Sequence, residues 1–156
     1  MSRKHSFILT LSNNVTEKEG VNYLIANHTG FFKVDLTMKK ELLNLLKIDH
    51  KFLQAFDLIY IYDMVGKILT EDFLQTNLED IILVELKTTK KYLPENPKGF
   101  FFGATENEFN FGNILGDKFR FCFVCLNEKS PSFVLQTMQE LELRIRNKRI
   151  QYQINL

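Results

Sequence analysis

Asp80-Ile81-Ile82-Leu83-Val84-Glu85-Leu86-Lys87 sets the architecture of the chain. Ile81 to Val84 form an unbroken apolar run rich in β-branched residues, which predicts a strand buried on both faces and central in its sheet. A central strand needs neighbours. Asp57-Leu58-Ile59-Tyr60-Ile61-Tyr62-Asp63 is β-branched and aromatic and predicts a second strand. Lys118 to Leu126 predicts a third, and Phe31-Phe32-Lys33-Val34 a short extended piece. Phe100-Phe101-Phe102 reads as a short strand after a loop marked by Pro94 and Pro97. Ile150, Tyr152, Ile154 and Leu156 alternate with Gln151, Gln153 and Asn155, the pattern of a half-buried strand. Ser6 to Leu11 reads as a short strand or an ordered arm.

Between these lie helical signals. Thr16 followed by Glu19 fits a capping box, and Val21, Leu24 and Ile25 give an apolar stripe, so a helix is expected over Glu17 to Asn27. Thr37 is read as the cap of a helix from Met38 to Lys47, with Ile48 to Phe56 continuing as a further turn or short helix. Met64 to Lys67 reads as a turn, and Thr70 to Leu74 as a helical turn or a loop. Thr105, with Glu108 three residues on, starts a helix toward Ile114 that Gly116 closes. Ser130 to Leu141 is expected to be helical, with Pro131 in the first turn. The expectation is one domain over residues 1–156, of α+β (α/β-like) class, with a mixed central β-sheet flanked by helices.

The composition sets bounds. The chain has 156 residues, 45% of them hydrophobic and 25% charged, ordinary values for a globular domain with its own core. Fifteen Phe and no Trp predict a core built on phenylalanine. The net charge is only +1, so any surface for phosphate must come from local clustering. Cys122 and Cys125 have CxxC spacing, but no second ligand pair follows to complete a zinc site. They are read as reduced, buried thiols of a cytoplasmic protein. No signal peptide is evident, and no stretch approaches the ~20 apolar residues of a membrane span. The chain has no Gly-rich GK(S/T) loop for a nucleotide cofactor and no G-x-S-x-G elbow.

Glu85 and Lys87 carry the chemistry. Residues two apart on a strand face the same way, so a carboxylate and an ammonium project together after a buried apolar run. That is costly unless the charges meet water, a partner or a cation. Asp57 opens the earlier strand and would stand beside Glu85 if the two strands pair. Two adjacent carboxylates raise each other's pKa unless a cation lies between them. Mg²⁺, with Mn²⁺ as substitute, takes oxygen ligands and keeps several waters, so Asp57, Glu85 and the backbone carbonyl of Leu86 form a suitable set. Lys87 would orient the attacking water and offset charge on phosphorus. Asp63 ends the same strand as Asp57 and is a rival first carboxylate, while Asp80, five residues before Glu85, faces the other way. Glu19 and Glu17 on the first helix are further candidates, against a capping or solvated role. Glu108, with Asn107, either caps its helix or supports Lys87. Thr88, Thr89, Lys90, Lys91 and Lys98 follow the motif and would meet a nucleic-acid backbone, or else form a solvated loop. Arg144, Arg146, Lys148 and Arg149 would track a phosphate strand or form ordinary surface. His5, His28 and His50 lack metal-ligand spacing.

The carboxylate, followed by Glu85-Leu86-Lys87 on a later strand, resembles the PD-(D/E)xK nuclease superfamily, with Phe56 where that pattern has proline. Asp57 and Glu85 are separated by 28 residues. A closer resemblance runs from Val84-Glu85-Leu86-Lys87-Thr88-Thr89 through Ala104-Thr105-Glu106-Asn107-Glu108-Phe109 to Phe119-Arg120-Phe121. Over about 45 residues this is similar to the NO VEIN C-terminal-like nuclease domain, with Leu86 in place of valine. The resemblance implies a restriction-endonuclease-like core and Mg²⁺-dependent cleavage of duplex DNA, of which type II restriction is one form. A homodimer would suit a palindromic site. Two other expectations stay open: a non-catalytic DNA- or protein-binding module on the same fold, and an RNA endonuclease of the cap-snatching kind, for which His28 would serve as the helix histidine.

Overall fold

A computed structural model describes residues 16–62 and 69–156. The expected arm at Ser6 to Leu11, the turn at Met64 to Lys67, and Asp63 lie outside the described residues. The elements in chain order are helix α1 (residues 16–27), then β1 (Phe31–Lys33), α2 (Leu36–Leu45), β2 (Leu58–Tyr60), α3 (Glu71–Thr76), β3 (Ile82–Thr89), α4 (Glu106–Leu115), β4 (Phe119–Cys125), β5 (Ser132–Gln136) and α5 (Met138–Arg144). This is a mixed α+β fold, with a five-stranded sheet flanked by helices.

The five strands lie in the order β1-β2-β3-β4-β5. The pairs β1/β2, β2/β3 and β4/β5 are antiparallel, and β3/β4 is parallel. The parallel pair requires a crossover, and α4 supplies it. As its apolar run demands, β3 is the middle strand. Its odd-numbered residues and its even-numbered residues enter two separate cores. On one face Leu83 joins Ile59, Phe119, Phe121 and Phe123 beneath residues of α2, α4 and α5. On the other, Val84 and Leu86 join Leu58, Cys122 and Val124 beneath Leu24 of α1. Phe119, Phe121 and Phe123 alternate along β4 with ring centroids 5.1 and 6.1 Å apart, in the range of favourable aromatic contact. Cys122 and Cys125 are free and buried, and burial pushes the Cys122 thiol up.

Several expectations need correction. Ser130 to Leu141 is not one helix: Ser132–Gln136 is the edge strand β5, and only Met138–Arg144 is helical, with Thr137 Oγ1 accepting from the Glu140 N–H at 3.0 Å. Phe133, Val134 and Leu135 alternate between the two cores, as a strand requires. Phe100 to Phe102 is not a strand either. Phe100 and Phe102 lay their rings on Phe123, each at 5.0 Å, and hold the loop against the sheet through side chains. The alternating residues 150–156 form no strand and are exposed, since they pair with none of the described strands. Asp35, not Thr37, caps α2, its carboxylate accepting from the Met38 N–H at 2.8 Å. Thr70 to Leu74 resolves as the start of α3, capped by Thr70.

Candidate functional site

The centre of β3 carries two polar side chains into the face that is otherwise phenylalanine. Glu85 is 6% exposed, and its register partner on β4 is Phe121; that of Lys87 is Phe123. Lys87 Nζ lies 3.1 Å from Glu85 Oε1 and 3.0 Å from Glu108 Oε2. Glu108 reaches it from the first turn of α4. The same Oε2 accepts from the Thr105 N–H at 2.9 Å, while Thr105 Oγ1 accepts from the Glu108 N–H at 3.1 Å. Glu108 is therefore both half of a capping box and a partner of Lys87. The two roles weighed from sequence are one.

Asp57 sits just before β2. Its N–H donates to the Val84 carbonyl at 2.8 Å, extending the β2/β3 ladder by one bond. Its Oδ2 accepts from the Leu86 N–H at 2.9 Å. A strand residue presents its N–H and C=O to the same edge, so the Leu86 carbonyl also faces the Asp57 side. Asp57 thereby joins the β3 motif through backbone.

A third element contributes Glu17 from α1. Its carboxyl is hydrogen-bonded to Asp57, and its pKa is raised, by partial burial first and by the Asp57 charge second; Lys87 and Lys39 pull it down. Close packing of α1 makes this reach feasible. A Cβ on Gly20 would collide with Thr88 Cγ2, so glycine lets the helix settle on the end of β3. Glu19, two residues along, is turned elsewhere: it pairs with Lys90 at 3.1 Å on the surface. The helix carboxylate of the cluster is thus Glu17 rather than Glu19.

Sequence reading missed Lys39 entirely. From α2 its Nζ donates to the Phe56 carbonyl at 2.7 Å and the Leu53 carbonyl at 3.2 Å. It also stands 5.1 Å from the centroid of the Phe56 ring. Lys39 ties down the turn that delivers Asp57. In sequence it is a lysine on an amphipathic helix, with nothing to distinguish it from a solvated one.

The electrostatics follow from burial. Desolvation, then Asp57, then Glu108 push the Glu85 carboxyl up to about 11, against the opposing pull of Lys87. Burial alone would lower Lys87, but Glu85 and Glu108 outweigh it and hold its pKa above the usual lysine value. Burial and the neighbouring carboxyls thus favour the protonated form of Glu85, while those same carboxyls favour the charged form of Lys87. Glu85 Oε2 is buried and finds no hydrogen-bonding partner. An orphaned buried carboxyl oxygen beside two further carboxyls fits a cation. Among the described residues, no three Asp, Glu, His or Cys side chains gather as a ready-made metal cage. Mg²⁺ does not require one, being held by one or two carboxylates together with waters and phosphate oxygens.

The residues expected to meet nucleic acid are not gathered at the cluster as a set. Thr89 Oγ1 accepts from the Lys91 N–H at 3.2 Å within a turn. Lys90 pairs with Glu19, and Lys98 with Glu95 at 3.2 Å. Lys91 is exposed. Asn107 donates to the Lys51 carbonyl at 3.1 Å rather than supporting Lys87. His28 packs against Tyr23 and Phe133, with ring centroids at 5.9 and 4.1 Å, and takes no place among the carboxylates.

No protein-family model matches the chain, and neither a curated protein nor a solved structure matches it.

Proposed function

We propose that the chain is a Mg²⁺-dependent endonuclease that hydrolyses phosphodiester bonds in duplex DNA on a restriction-endonuclease-like core. The observation that carries this reading is the convergence of Asp57, Glu85 and Lys87, from two adjacent strands, with Glu17 and Glu108 from the flanking helices. The topology supports it: a helix, three strands in antiparallel succession with α2 and α3 between them, then a crossover helix and a strand parallel to the third. Asp57, Glu85 and the Leu86 carbonyl would hold the cation. When bound, Mg²⁺ supplies Lewis-acid polarisation of a phosphoryl oxygen and a lowered pKa for its water.

The protein groups then divide the remaining work. Lys87, held charged by Glu85 and Glu108, is a hydrogen-bond donor rather than a base. It orients the attacking water and offsets negative charge as the phosphorus becomes five-coordinate. Glu108 fixes the Lys87 ammonium, and Glu17 stands against Asp57, where partial burial and then the Asp57 charge raise the Glu17 carboxyl's pKa. A two-fold symmetric pair of chains would suit cleavage of both strands.

The test is cleavage of supercoiled and linear duplex DNA with Mg²⁺. Nicking or cutting that disappears in EDTA, in Glu85→Ala and in Lys87→Ala is expected; full activity in any of the three would overturn the reading. A second reading, a non-catalytic binding module, is favoured by the lack of a gathered three-ligand cage among the described residues. It predicts that neither Mg²⁺ nor Mn²⁺ binds in calorimetric titration.

A further inference from the structure

The four cations at Arg144, Arg146, Lys148 and Arg149 remain unabsorbed by the site. Residues 143–156 hold four of the twenty basic residues and none of the nineteen acidic ones, so the rest of the chain has sixteen basic against nineteen acidic. Charge is segregated: a mildly acidic body carries a basic strap. Beyond Arg144, the last residue of α5, the strap has no regular secondary structure, and all four cations are exposed. Among the described residues none of them pairs with a carboxylate, whereas Lys87, Lys90 and Lys98 all do.

The strap is anchored beside the site. Ile145 packs into the phenylalanine-lined core. Lys148 Nζ stands 5.0 Å from the centroid of the Phe109 ring, a cation–π distance. Phe109 follows Glu108 on α4 and contacts Phe121, the register partner of Glu85, at 5.8 Å. Lys148 thus sets one cation of the strap against the helix that presents Glu108 to Lys87.

We propose that residues 144–149 bind the phosphodiester backbone of a nucleic acid and lay it along α4 toward the Glu85–Lys87 cluster. The proposal names the substrate contact of the proposed nuclease and rests on that reading only for its orientation; backbone binding itself does not require cleavage. Closely spaced exposed cations suit a phosphate row, since they can reach successive phosphates without base contact. An anionic membrane is the less suitable partner. Interfacial segments bury one apolar helical face, and beyond Arg144 this segment forms no helix.

The experiment is fluorescence anisotropy in EDTA with labelled 20-mers of duplex DNA, single-stranded DNA and single-stranded RNA, over a range of salt. The parent is compared with Arg146→Ala/Lys148→Ala/Arg149→Ala and with the charge-retaining Arg146→Lys/Arg149→Lys. The triple variant should bind about tenfold or more weakly at ~0.1 M salt, with the slope of log K against log salt smaller by about 3. The charge-retaining variant should keep the parental slope, and the three melts should lie close together, since the side chains are exposed and a cation–π contact at an exposed site, such as Lys148–Phe109, contributes little. The three oligonucleotides distinguish the sources of the backbone. Unchanged affinity and slope in the triple variant overturn the proposal. So does parental binding to vesicles of phosphatidylserine and phosphatidylcholine in preference to every oligonucleotide. Strap-dependent binding without Mg²⁺-dependent cutting would sink the nuclease reading and leave the strap standing. Cutting unaffected by the triple variant would do the reverse.

Discussion

Asp57 Oδ2 accepts a hydrogen bond from the Leu86 N–H at 2.9 Å, which locks the first carboxylate to the backbone between Glu85 and Lys87. The strand before the motif and the strand bearing it are joined at the residues that matter, not only along their ladder. Distance between the two carboxylates is therefore set by backbone, which rigid sites require.

Asp57→Asn keeps an acceptor for the Leu86 N–H and removes the charge. It should melt within about 1 kcal/mol of the parent and lose Mg²⁺-dependent cleavage. Asp57→Ala removes the acceptor as well and leaves a half-buried N–H unpaired. It should lose cleavage and about 1–3 kcal/mol of stability in urea titration. Equal stability of the two variants would refute the backbone role.

Glu85 makes a prediction in pH. Its folded pKa, about 11, lies above its ordinary value of 4.5. Between those limits the folded form binds more protons than the unfolded form, so stability falls as pH rises. Metal-free protein should lose stability progressively as pH rises from about 5 to about 9 because of this one proton. Glu85→Gln should flatten that slope and be the more stable protein at pH 9, although inactive. Mg²⁺ should stabilise the parent more at pH 9 than at pH 6, because binding needs the ionised carboxylate. Chemical denaturation at several pH values, with and without Mg²⁺, reads all three.

Gly20→Ala should push α1 off β3, because the new methyl meets Thr88 Cγ2. A cost of about 1–3 kcal/mol is expected, with a larger fall in cleavage as Glu17 leaves Asp57. Adding Thr88→Ser deletes the clashing methyl and should restore most of both. A double variant no better than Gly20→Ala would show that the contact is not what sets the helix position.

Phe121→Ala should cost about 3–5 kcal/mol, since its ring is fully buried among Phe102, Phe109, Phe119 and Phe123. A loss below about 1 kcal/mol by denaturant titration would mean that the phenylalanine layer is loosely packed.

The central strand was legible because burial on both faces leaves an unbroken apolar run at Ile81 to Val84, and α4 because Thr105 and Glu108 spell a capping box. β5 was not, since Phe133 to Leu135 together with Met138 and Leu141 imitate a helical stripe across what is a strand followed by a short helix. Glu85 and Lys87 stood out as charges at the end of an apolar strand. Glu17 could not be chosen over Glu19 because residues two apart on a helix face different ways, and the face depends on where the sheet lies. Lys39 carries no signal at all, as its acceptors are backbone carbonyls created by the fold.

The proposed nuclease needs a divalent cation held at the Asp57–Glu85 cluster. A crystal soaked in Mn²⁺ and recorded at an energy where manganese scatters anomalously tests it directly. Bound Mn²⁺ between the Asp57 carboxylate, Glu85 Oε2 and the Leu86 carbonyl is expected, lost in crystals of Glu85→Gln. A soaked crystal with no anomalous peak there, or with manganese bound only elsewhere, would contradict it.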